Sequence, residues 1–265
     1  MKVVVLTIFP ELMQAFWENG IMRRAIEGGA VAAEAVNIRD FAQGRHKVTD
    51  DRPYGGGCGM VMKPEPLAAA LRQVQQKTPG ALTLLMSPQG RRFDQAMARE
   101  LAACEALVIV CGRYEGVDER ISEQFVDGEV SIGDFVLTGG EVAAMVVLDA
   151  VIRLLPGVLG NEDSAEQDSF GHQRLDHAHY TRPPEFQGQA VPEVLLSGHH
   201  DRIAHWRRAD ALLRTFARRP DLLRGASLSQ EEKALLGAWH RELEGIIRSQ
   251  GGIGPDPSPG GGQER

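Results

Sequence analysis

Short apolar runs alternate with amphipathic segments along the first 160 residues. The apolar runs predict the strands of a sheet covered on both faces, at residues 2–8, 31–38, 81–86 and 106–111. Periodicity close to 3.6 predicts helices between them, over residues 11–28, 66–77, 94–103 and 117–124. A strand mixed with loop over 126–138 precedes a very apolar helix, EVAAMVVLDAVIRLL, which ends at Pro156. This alternation predicts an α/β domain with a parallel sheet over residues 1–160.

The remainder of the chain carries no clear strand pattern. Residues 156–192 lack periodicity and are rich in Gly and Pro, which predicts an interdomain linker over 161–192. Helical periodicity over 199–217 and 229–247 predicts a small helical domain spanning 193–249. The segment 250–265 is dominated by Gly, Pro and polar residues, and we expect a disordered tail there.

The apolar helix over 141–155 has little polar face. A helix that is apolar all round is buried, either in the core of its own chain or in a contact between subunits. No window is long and apolar enough to cross a membrane, and no cleavage site follows the short apolar run at the N-terminus. We therefore expect a cytoplasmic protein with no membrane association.

Charge is unevenly distributed along the chain, whose net charge is −7. Residues 1–170 carry 16 basic and 24 acidic side chains, whereas residues 171–249 carry 12 basic and 10 acidic ones. The basic side chains of 200–224 are all arginines, namely Arg202, Arg207, Arg208, Arg214, Arg218, Arg219 and Arg224. Guanidinium groups suit phosphates and base edges, but a solvated helix face would give the same pattern.

Several familiar chemical motifs are absent. The sequence has no dinucleotide-binding G-x-G-x-x-G after a strand, no P-loop, no H-E-x-x-H and no G-x-S-x-G. Its three cysteines are too few and too irregular for a disulfide framework or a zinc site. His172, His177 and His179 cluster near Asp176, but their spacing matches no strong zinc pattern, and we expect ordinary loop histidines and no metal site.

Glycine-dense segments follow three of the predicted strands. They are SPQG (87–90), CGRYEGVDER (111–120) and SIGDFVLTGGE (131–141). Because the carboxyl ends of parallel strands meet at one edge of a sheet, these loops should lie together, where α/β proteins bind ligands. Each loop alone is explained by turn chemistry, but three at one edge favour a ligand pocket.

At this point the chain resembles the bacterial tRNA (guanine-37-N1)-methyltransferases, a family of the trefoil-knot, or SPOUT, superfamily. The resemblance runs from residue 1 to about 245. It rests on eight ordered segments: DDRPYGGGCGM, SPQGRRFDQ, VCGRYEGVDER, SIGDFVLTGGE, RLLPGVLG, EQDSF, HYTRPPEFQG and VPEVLLSGHH. One departure is Cys58, where the family usually has proline.

The resemblance implies a deep trefoil knot near residues 85–140 and an obligate homodimer that holds S-adenosylmethionine in the knotted loops. The residues implied to hold this methyl donor are Pro88, Gly112, Tyr114, Ile132, Gly133, Asp134, Phe135, Val136, Leu137, Gly139 and Gly140. The linker of one subunit would close over the donor of the other. An apolar slot such as 135–137, bordered by glycines, suits an adenine ring.

The resemblance also implies the reacting groups. Asp168 in EQDSF would take the proton from guanine N1, Arg153 would stabilise the negative charge on O6, and Glu115 would hold the guanine edge. Asp176 would support the linker or a magnesium ion, so magnesium enters only through this resemblance. Without the resemblance, Arg153 is better explained as a C-terminal helix cap and Asp168 as a turn or N-cap residue.

The helical domain would bind tRNA, largely through phosphates. The arginines implied in this contact are Arg202, Arg207, Arg208, Arg214, Arg218 and Arg219. Two other interpretations stay open. A related knotted methyltransferase acting on ribosomal RNA or on a ribose hydroxyl would share the pocket. A non-catalytic RNA-binding module would need only the arginine-rich helices, and would leave the three glycine-dense loops unexplained.

Overall fold

A computed structural model describes residues 1–160, 168–171 and 173–250. The chain divides into two compact units, Met1–Ala165 and Glu166–Arg265. The division falls inside the segment expected to be a linker, and the described part of that segment from residue 168 onward belongs to the second unit. Residues 251–265 of the predicted tail, and His172, lie outside the described residues. The domain limits set from the sequence stay predictions.

The first unit contains seven strands and six α-helices among its described residues. In chain order they are β1 (Lys2–Thr7), α1 (Pro10–Trp17), α2 (Gly20–Glu27), β2 (Ala32–Asn37), β3 (Asp50–Asp51), β4 (Val61–Met62), α3 (Pro64–Lys77), β5 (Leu82–Arg92), α4 (Gln95–Ala102), β6 (Ala106–Cys111), α5 (Glu119–Phe125), β7 (Gly128–Ser131) and α6 (Gly140–Ile152). A short 3₁₀ helix, Ile38–Phe41, follows β2.

Five of these strands form one sheet, in the order β2-β1-β6-β5-β7, and every neighbouring pair is parallel. The predicted α/β class with a parallel sheet is therefore confirmed. Strands β3 and β4 pair with each other in a separate antiparallel ribbon. The knot implied by the resemblance stays a prediction.

The sheet is covered by helices on both faces, as its apolar strands predict. Side chains alternate between the faces of a strand. Val3 and Val5 of β1 belong to the apolar core shared with α1, α2, α4 and α6. Val4 and Leu6 belong to the core on the opposite face, shared with α3 and α5. The core thus consists of two apolar layers that hold the strand ends in fixed positions.

Two element predictions were wrong in detail. The helix expected over 11–28 is interrupted, because Asn19 is extended and Gly20 has a φ of +58°, so α1 and α2 are separate helices. The loop expected at SPQG is part of β5. Met86 and Arg91 both align with Val130 of β7, so residues 87–90 bulge out of the strand before its pairing resumes.

The second unit is mainly helical. Its described elements are β8 (Glu185–Phe186), β9 (Gln189–Ala190), α7 (Glu193–Leu196), α8 (His200–Arg218), α9 (Pro220–Gly225) and α10 (Gln230–Ser249). The helices predicted over 199–217 and 229–247 correspond to α8 and α10, whereas the small β8–β9 hairpin was not predicted. A capping box between Ser229 and Glu232 starts α10, and Arg174 forms an ion pair with Glu232.

Candidate active site

A cavity of about 470 Å³ lies in the first unit, at the carboxyl ends of β5, β6 and β7. Its walls are the bulge at residues 87–90, the loop 112–117, the loop 132–139 and the start of α6. This is the edge of the sheet at which ligands bind in open α/β folds. The three glycine-dense loops that the sequence placed together are therefore neighbours around one cavity.

Ten of the eleven residues predicted to hold a methyl donor line this cavity. They are Pro88, Gly112, Tyr114, Ile132, Gly133, Phe135, Val136, Leu137, Gly139 and Gly140. The eleventh, Asp134, belongs to the same loop but is not among the lining residues. Glu115, predicted to hold the guanine edge, also lines the cavity.

Two glycines at the start of α6 allow backbone segments to approach closely. A Cβ atom at Gly140 would lie 2.8 Å from the Cα of Cys111, and one at Gly139 would collide with the side chain of Arg113. The loop 132–139, which precedes α6, bends at Gly133, whose φ is +149°. In the loop 112–117, Tyr114 has a φ of 60°, in the left-handed region. A non-glycine residue with a positive φ is uncommon and is often found at binding sites.

Large apolar side chains are exposed around the cavity. Phe135, Val136, Leu137 and Tyr114 are between 39% and 89% exposed in the isolated chain, and Val136 has the highest value. Exposed apolar clusters beside a cavity mark surfaces that bury against a ligand or a partner. The site therefore offers an apolar surface next to backbone groups that glycine leaves accessible.

A buried ion pair holds the walls of the cavity together. The Glu141 side chain on α6 is 1% exposed, and it accepts hydrogen bonds from Thr7 Oγ1 at 2.6 Å and from Arg113 Nε at 2.9 Å. Arg113 also donates to the Thr138 carbonyl at 3.3 Å, and its guanidinium lies 4.5 Å from the centre of the Phe9 ring. These contacts connect the ends of β1 and β6 with the loop 132–139 and α6.

Sequence reasoning did not identify this pair. The available signal was the acidic Glu141 at the first turn of a largely apolar helix. A carboxylate is almost never fully buried without a partner, so its position required a cation nearby. Arg113, 28 positions earlier, could not be assigned as that cation before the fold was known.

Glu115 lies between the cavity and the glycine-rich segment GGGCG. Its backbone N–H donates to the Met60 carbonyl at 3.0 Å, and a Cβ at Gly59 would collide with the Glu115 carboxylate. Glycine at position 59, with a φ of +82°, thus lets this loop lie against Glu115. Cys58, the departure from the family pattern, is exposed in the same loop.

The two predicted reacting groups lie on different units. Arg153 is the half-buried C-cap residue of α6 in the first unit, and its backbone N–H donates to the Asp149 carbonyl at 3.3 Å. Asp168 is half-buried in the second unit, where its carbonyl accepts a hydrogen bond from the Gly171 N–H at 2.9 Å. Arg153 is not among the residues that line the cavity, and the roles of both groups stay predictions.

The predicted tRNA-binding arginines lie on α8 or at its C-cap. Arg202, Arg207, Arg208, Arg218 and Arg219 are exposed, and Arg214 is half-buried. Three of the six are paired with carboxylates: Arg208 with Glu231, Arg214 with Asp210, and Arg219 with Asp221.

No helix among the described residues has the length and apolarity needed to cross a bilayer.

The chain is similar to known proteins along most of its length. Residues 1–225 match the family model described as "tRNA (Guanine-1)-methyltransferase TrmD". A protein of Desulfatibacillum aliphaticivorans named tRNA (guanine-N(1)-)-methyltransferase is 57% identical over 256 residues, covering 97% of this chain and 98% of its own length. Proteins of the same name from Syntrophotalea carbinolica and Listeria monocytogenes are 55% and 51% identical over 240 and 241 residues, covering 91% and 90% of this chain and 97% and 98% of their own lengths. The chain therefore belongs to the tRNA (guanine-1)-methyltransferase family.

Proposed function

We propose that this protein transfers a methyl group from S-adenosylmethionine to N1 of guanosine 37 in tRNA. The observation that carries the proposal is the cavity at the ends of β5, β6 and β7, which brings together ten residues that the family pattern assigns to the methyl donor. The curated relatives are named for the same reaction on the guanine N1 atom of tRNA. Position 37 rests on the sequence resemblance.

The cavity suits a donor of this size and chemistry. Its volume falls within the range of small-molecule sites, which combine apolar walls with a few polar groups. Phe135, Val136 and Leu137 offer an apolar surface, and glycines 139 and 140 keep the backbone free of side chains where the loop meets β6. When bound, S-adenosylmethionine supplies a methyl group activated by the adjoining sulfonium.

The chain's own residues have to position guanine and control its charge. The N1 atom carries a proton near neutral pH, so a base must remove it as N1 attacks the methyl group. Asp168 is our candidate for this base, and Arg153 would stabilise the negative charge that develops on O6. Glu115 would accept hydrogen bonds from N1–H and N2–H, which its place in the cavity wall supports.

Two copies of the chain would build each active site. Val142 and Val146 on α6 are 54% and 46% exposed in the isolated chain, while Ala143, Val147 and Leu148 of the same helix are buried in its core. An exposed apolar stripe on a helix next to the cavity suits a symmetric contact between copies. The linker of one copy would then cover the donor cavity of the other.

The second unit would bind the tRNA. Exposed arginines on α8, such as Arg202, Arg207 and Arg218, offer bidentate donors for phosphate oxygens. Because phosphate contacts release condensed counterions, this binding should weaken steeply with salt. Magnesium remains an expectation from the resemblance, through Asp176.

Mass spectrometry of nucleosides tests the proposal directly. Unmodified tRNA carrying G or A at position 37 is incubated with the protein and S-adenosylmethionine, and we expect 1-methylguanosine with the G37 substrate only. Asp168→Asn should lower the rate by more than about 100-fold, in the range of a lost general base, while donor binding is retained. Asp201→Asn, which changes an exposed acid on α8, is the matched control and should keep full activity.

Other outcomes would replace the proposal. Methylation of a ribose hydroxyl or of ribosomal RNA would identify a different member of the knotted superfamily. An absence of donor binding in calorimetry would favour an RNA-binding module without catalysis. Full activity of Asp168→Asn would remove Asp168 as the base and leave the reaction itself assigned.

A further inference from the structure

Three side chains of the second unit converge in a way the sequence did not predict. Asp176, His177 and His179 each place a ligand atom within 4.8 Å of the ligand atoms of the other two. Asp176 and His177 are half-buried, and His179 is exposed. From this geometry we propose that these three residues form a binding site for a divalent transition metal of the zinc type, different from the magnesium ion that the resemblance associates with Asp176.

The separations between the three groups fit a common metal ion. Two ligand atoms bound at about 2.1 Å to a tetrahedral metal lie about 3.4 Å apart. The Asp176 Oδ2 to His179 Nε2 distance is 2.9 Å, and the Asp176 Oδ1 to His177 Nε2 distance is 3.8 Å. The carboxylate thus approaches one imidazole with each oxygen, and the three ligand atoms, all within 4.8 Å of one another, would move closer together on binding one ion.

The hydrogen bonding of His177 orients its ring in the way that a metal ligand requires. Its Nδ1 lies 3.0 Å from the Ala178 carbonyl, which can only accept a hydrogen bond, so the neutral ring carries its proton on Nδ1. The lone pair is therefore on Nε2, the atom that faces Asp176. Histidine ligands in metal sites are oriented in the same way, by a hydrogen bond from the second ring nitrogen to a carbonyl or carboxylate.

The backbone that carries the cluster is fixed by α8 on both sides. The Leu175 N–H donates to Thr215 Oγ1 at 3.0 Å, and the Ala178 N–H donates to Asp210 Oδ2 at 2.6 Å. Thr215 is fully buried, so these anchors belong to the core of the second unit. A site whose backbone is held in place pays less conformational entropy on binding than a mobile loop would.

The ligand set selects the class of metal. Two imidazoles and one carboxylate suit zinc, nickel, cobalt or copper, whereas magnesium prefers carboxylates and water. Three protein ligands leave a fourth position open. His177 and His179 also line a cavity of about 810 Å³ in this unit, from which water or another ligand could reach that position.

Bound metal would brace the turn that precedes the cluster. The Asp176 N–H donates to Ser169 Oγ at 3.0 Å, and the Phe170 N–H donates to the Arg174 carbonyl at 2.7 Å, so residues 169–170 are held against residues 174–176. The turn begins beside Asp168, so the consequence for catalysis rests on the proposed function. The metal site itself does not, because it can be measured without tRNA or methyl donor.

The test is metal binding by the full-length protein in a Cys58→Ser background, which removes an exposed thiol that would compete as a zinc ligand. After removal of metals with a chelator, Zn²⁺ is titrated in competition with a chromophoric chelator, and Co²⁺ is followed by its visible absorption. We expect one equivalent per chain, with the absorption of a four-coordinate Co²⁺ site. A large excess of Mg²⁺ should not displace the bound ion.

Paired variants locate the site. His177→Gln and His179→Gln should each weaken Zn²⁺ binding by more than about tenfold, because even changes outside the ligand set cost metal sites about 10–100-fold. His240→Gln is the matched control: it alters a histidine that also lies beside a carboxylate, 3.3 Å from Glu244, on the surface of α10. Far-UV circular dichroism checks that all variants are folded.

Two results would overturn the proposal. One is Zn²⁺ binding that is equally tight in the background protein and in the His177→Gln/His179→Gln double variant. The other is a loss of the bound equivalent in His240→Gln, which would place the ion on α10. Neither result bears on methyl transfer, so failure here leaves the proposed function intact.

Discussion

Removing the charge of Arg113 should destabilise the first unit strongly. The substitution Arg113→Met keeps an unbranched side chain of similar length but leaves the Glu141 carboxylate, 1% exposed, without its cation. Breaking a buried pair by deleting one partner costs about 3–5 kcal/mol, since the remaining charge is left buried and uncompensated. Thr7 Oγ1 still donates to Glu141, so we expect a loss of about 3 kcal/mol in the free energy of unfolding.

Neutralising both partners should restore most of this loss. In Arg113→Met/Glu141→Gln the buried charge is gone, while the Gln carbonyl can still accept the Thr7 hydrogen bond. Replacing both members of a buried pair is often close to neutral. We therefore expect the double variant to unfold within about 1–1.5 kcal/mol of the parent protein, a coupling that two independent losses could not produce.

The measurement has to report on the first unit alone. Trp17 is buried in α1, whereas Trp206 and Trp239 lie on α8 and α10. In a Trp206→Phe/Trp239→Phe background, urea unfolding followed by tryptophan fluorescence therefore monitors the first unit, at one fixed protein concentration. A loss below about 1 kcal/mol in Arg113→Met, or a double variant as unstable as the single one, would refute the argument that a buried charge is at stake.

Three further outcomes follow from the same structure. Gly139→Ala should weaken donor binding in calorimetry by more than about tenfold, or about 1.4 kcal/mol, because the added Cβ collides with the Arg113 side chain in the cavity wall. Gly160→Ala is the control and should bind the donor normally, because a Cβ at Gly160 has no heavy atom within 4 Å. Burial raises the pKa of the Cys111 thiol well above its usual range. Iodoacetamide at pH 8 should therefore modify the exposed Cys58 rapidly and Cys111 only after unfolding, which peptide mass spectrometry can follow. Modification of Cys111 in the folded protein would contradict its burial. Arg202→Gln should lower the slope of log tRNA affinity against log salt by about one, and an unchanged slope would mean that this exposed arginine makes no phosphate contact.

The strands of the sheet were accessible from the sequence, although their order was not, because strand signals are local. Apolar runs of strand length predicted β1, β2 and β6 to within a residue or so at each end. The cavity was predictable for a related reason. Glycine-dense segments that follow parallel strands must emerge at one edge of the sheet, and the resemblance assigned the ligand to those segments.

The errors arise where the outcome depends on contacts between distant residues. The sequence SPQG has the composition of a turn, but pairing with Val130 resumes after it, and the four residues become a bulge within β5. The partners of Glu141 lie 28 and 134 positions away, at Arg113 and Thr7. No periodicity or motif connects such positions, and only the sheet order brings them together.

The histidine cluster shows the same limitation. The spacing of Asp176, His177 and His179 resembles no zinc motif, and the sequence alone favoured unremarkable loop residues. What makes the cluster a candidate is the backbone geometry imposed by Asp210 and Thr215, which lie 32 and 40 positions further along the chain. Spacing rules describe ligands presented by one helix or turn, so they miss a site whose geometry is set by a different element.

The buried Arg113–Glu141 pair is better explained by its effect on the cavity wall than by its contribution to stability. Apolar residues of the same volume would stabilise the unit as well or better, since buried ion pairs contribute little net free energy. The pair does something that apolar contacts cannot, because its directional hydrogen bonds fix Arg113 against both Glu141 and the Thr138 carbonyl in the wall of the cavity. The double variant Arg113→Met/Glu141→Gln should therefore separate stability from donor binding. Its free energy of unfolding should return close to that of the parent protein. Its donor affinity in calorimetry should stay reduced by about tenfold, or about 1.4 kcal/mol, which is the order of one lost hydrogen bond. Donor affinity that recovers together with stability would show that the pair serves folding alone.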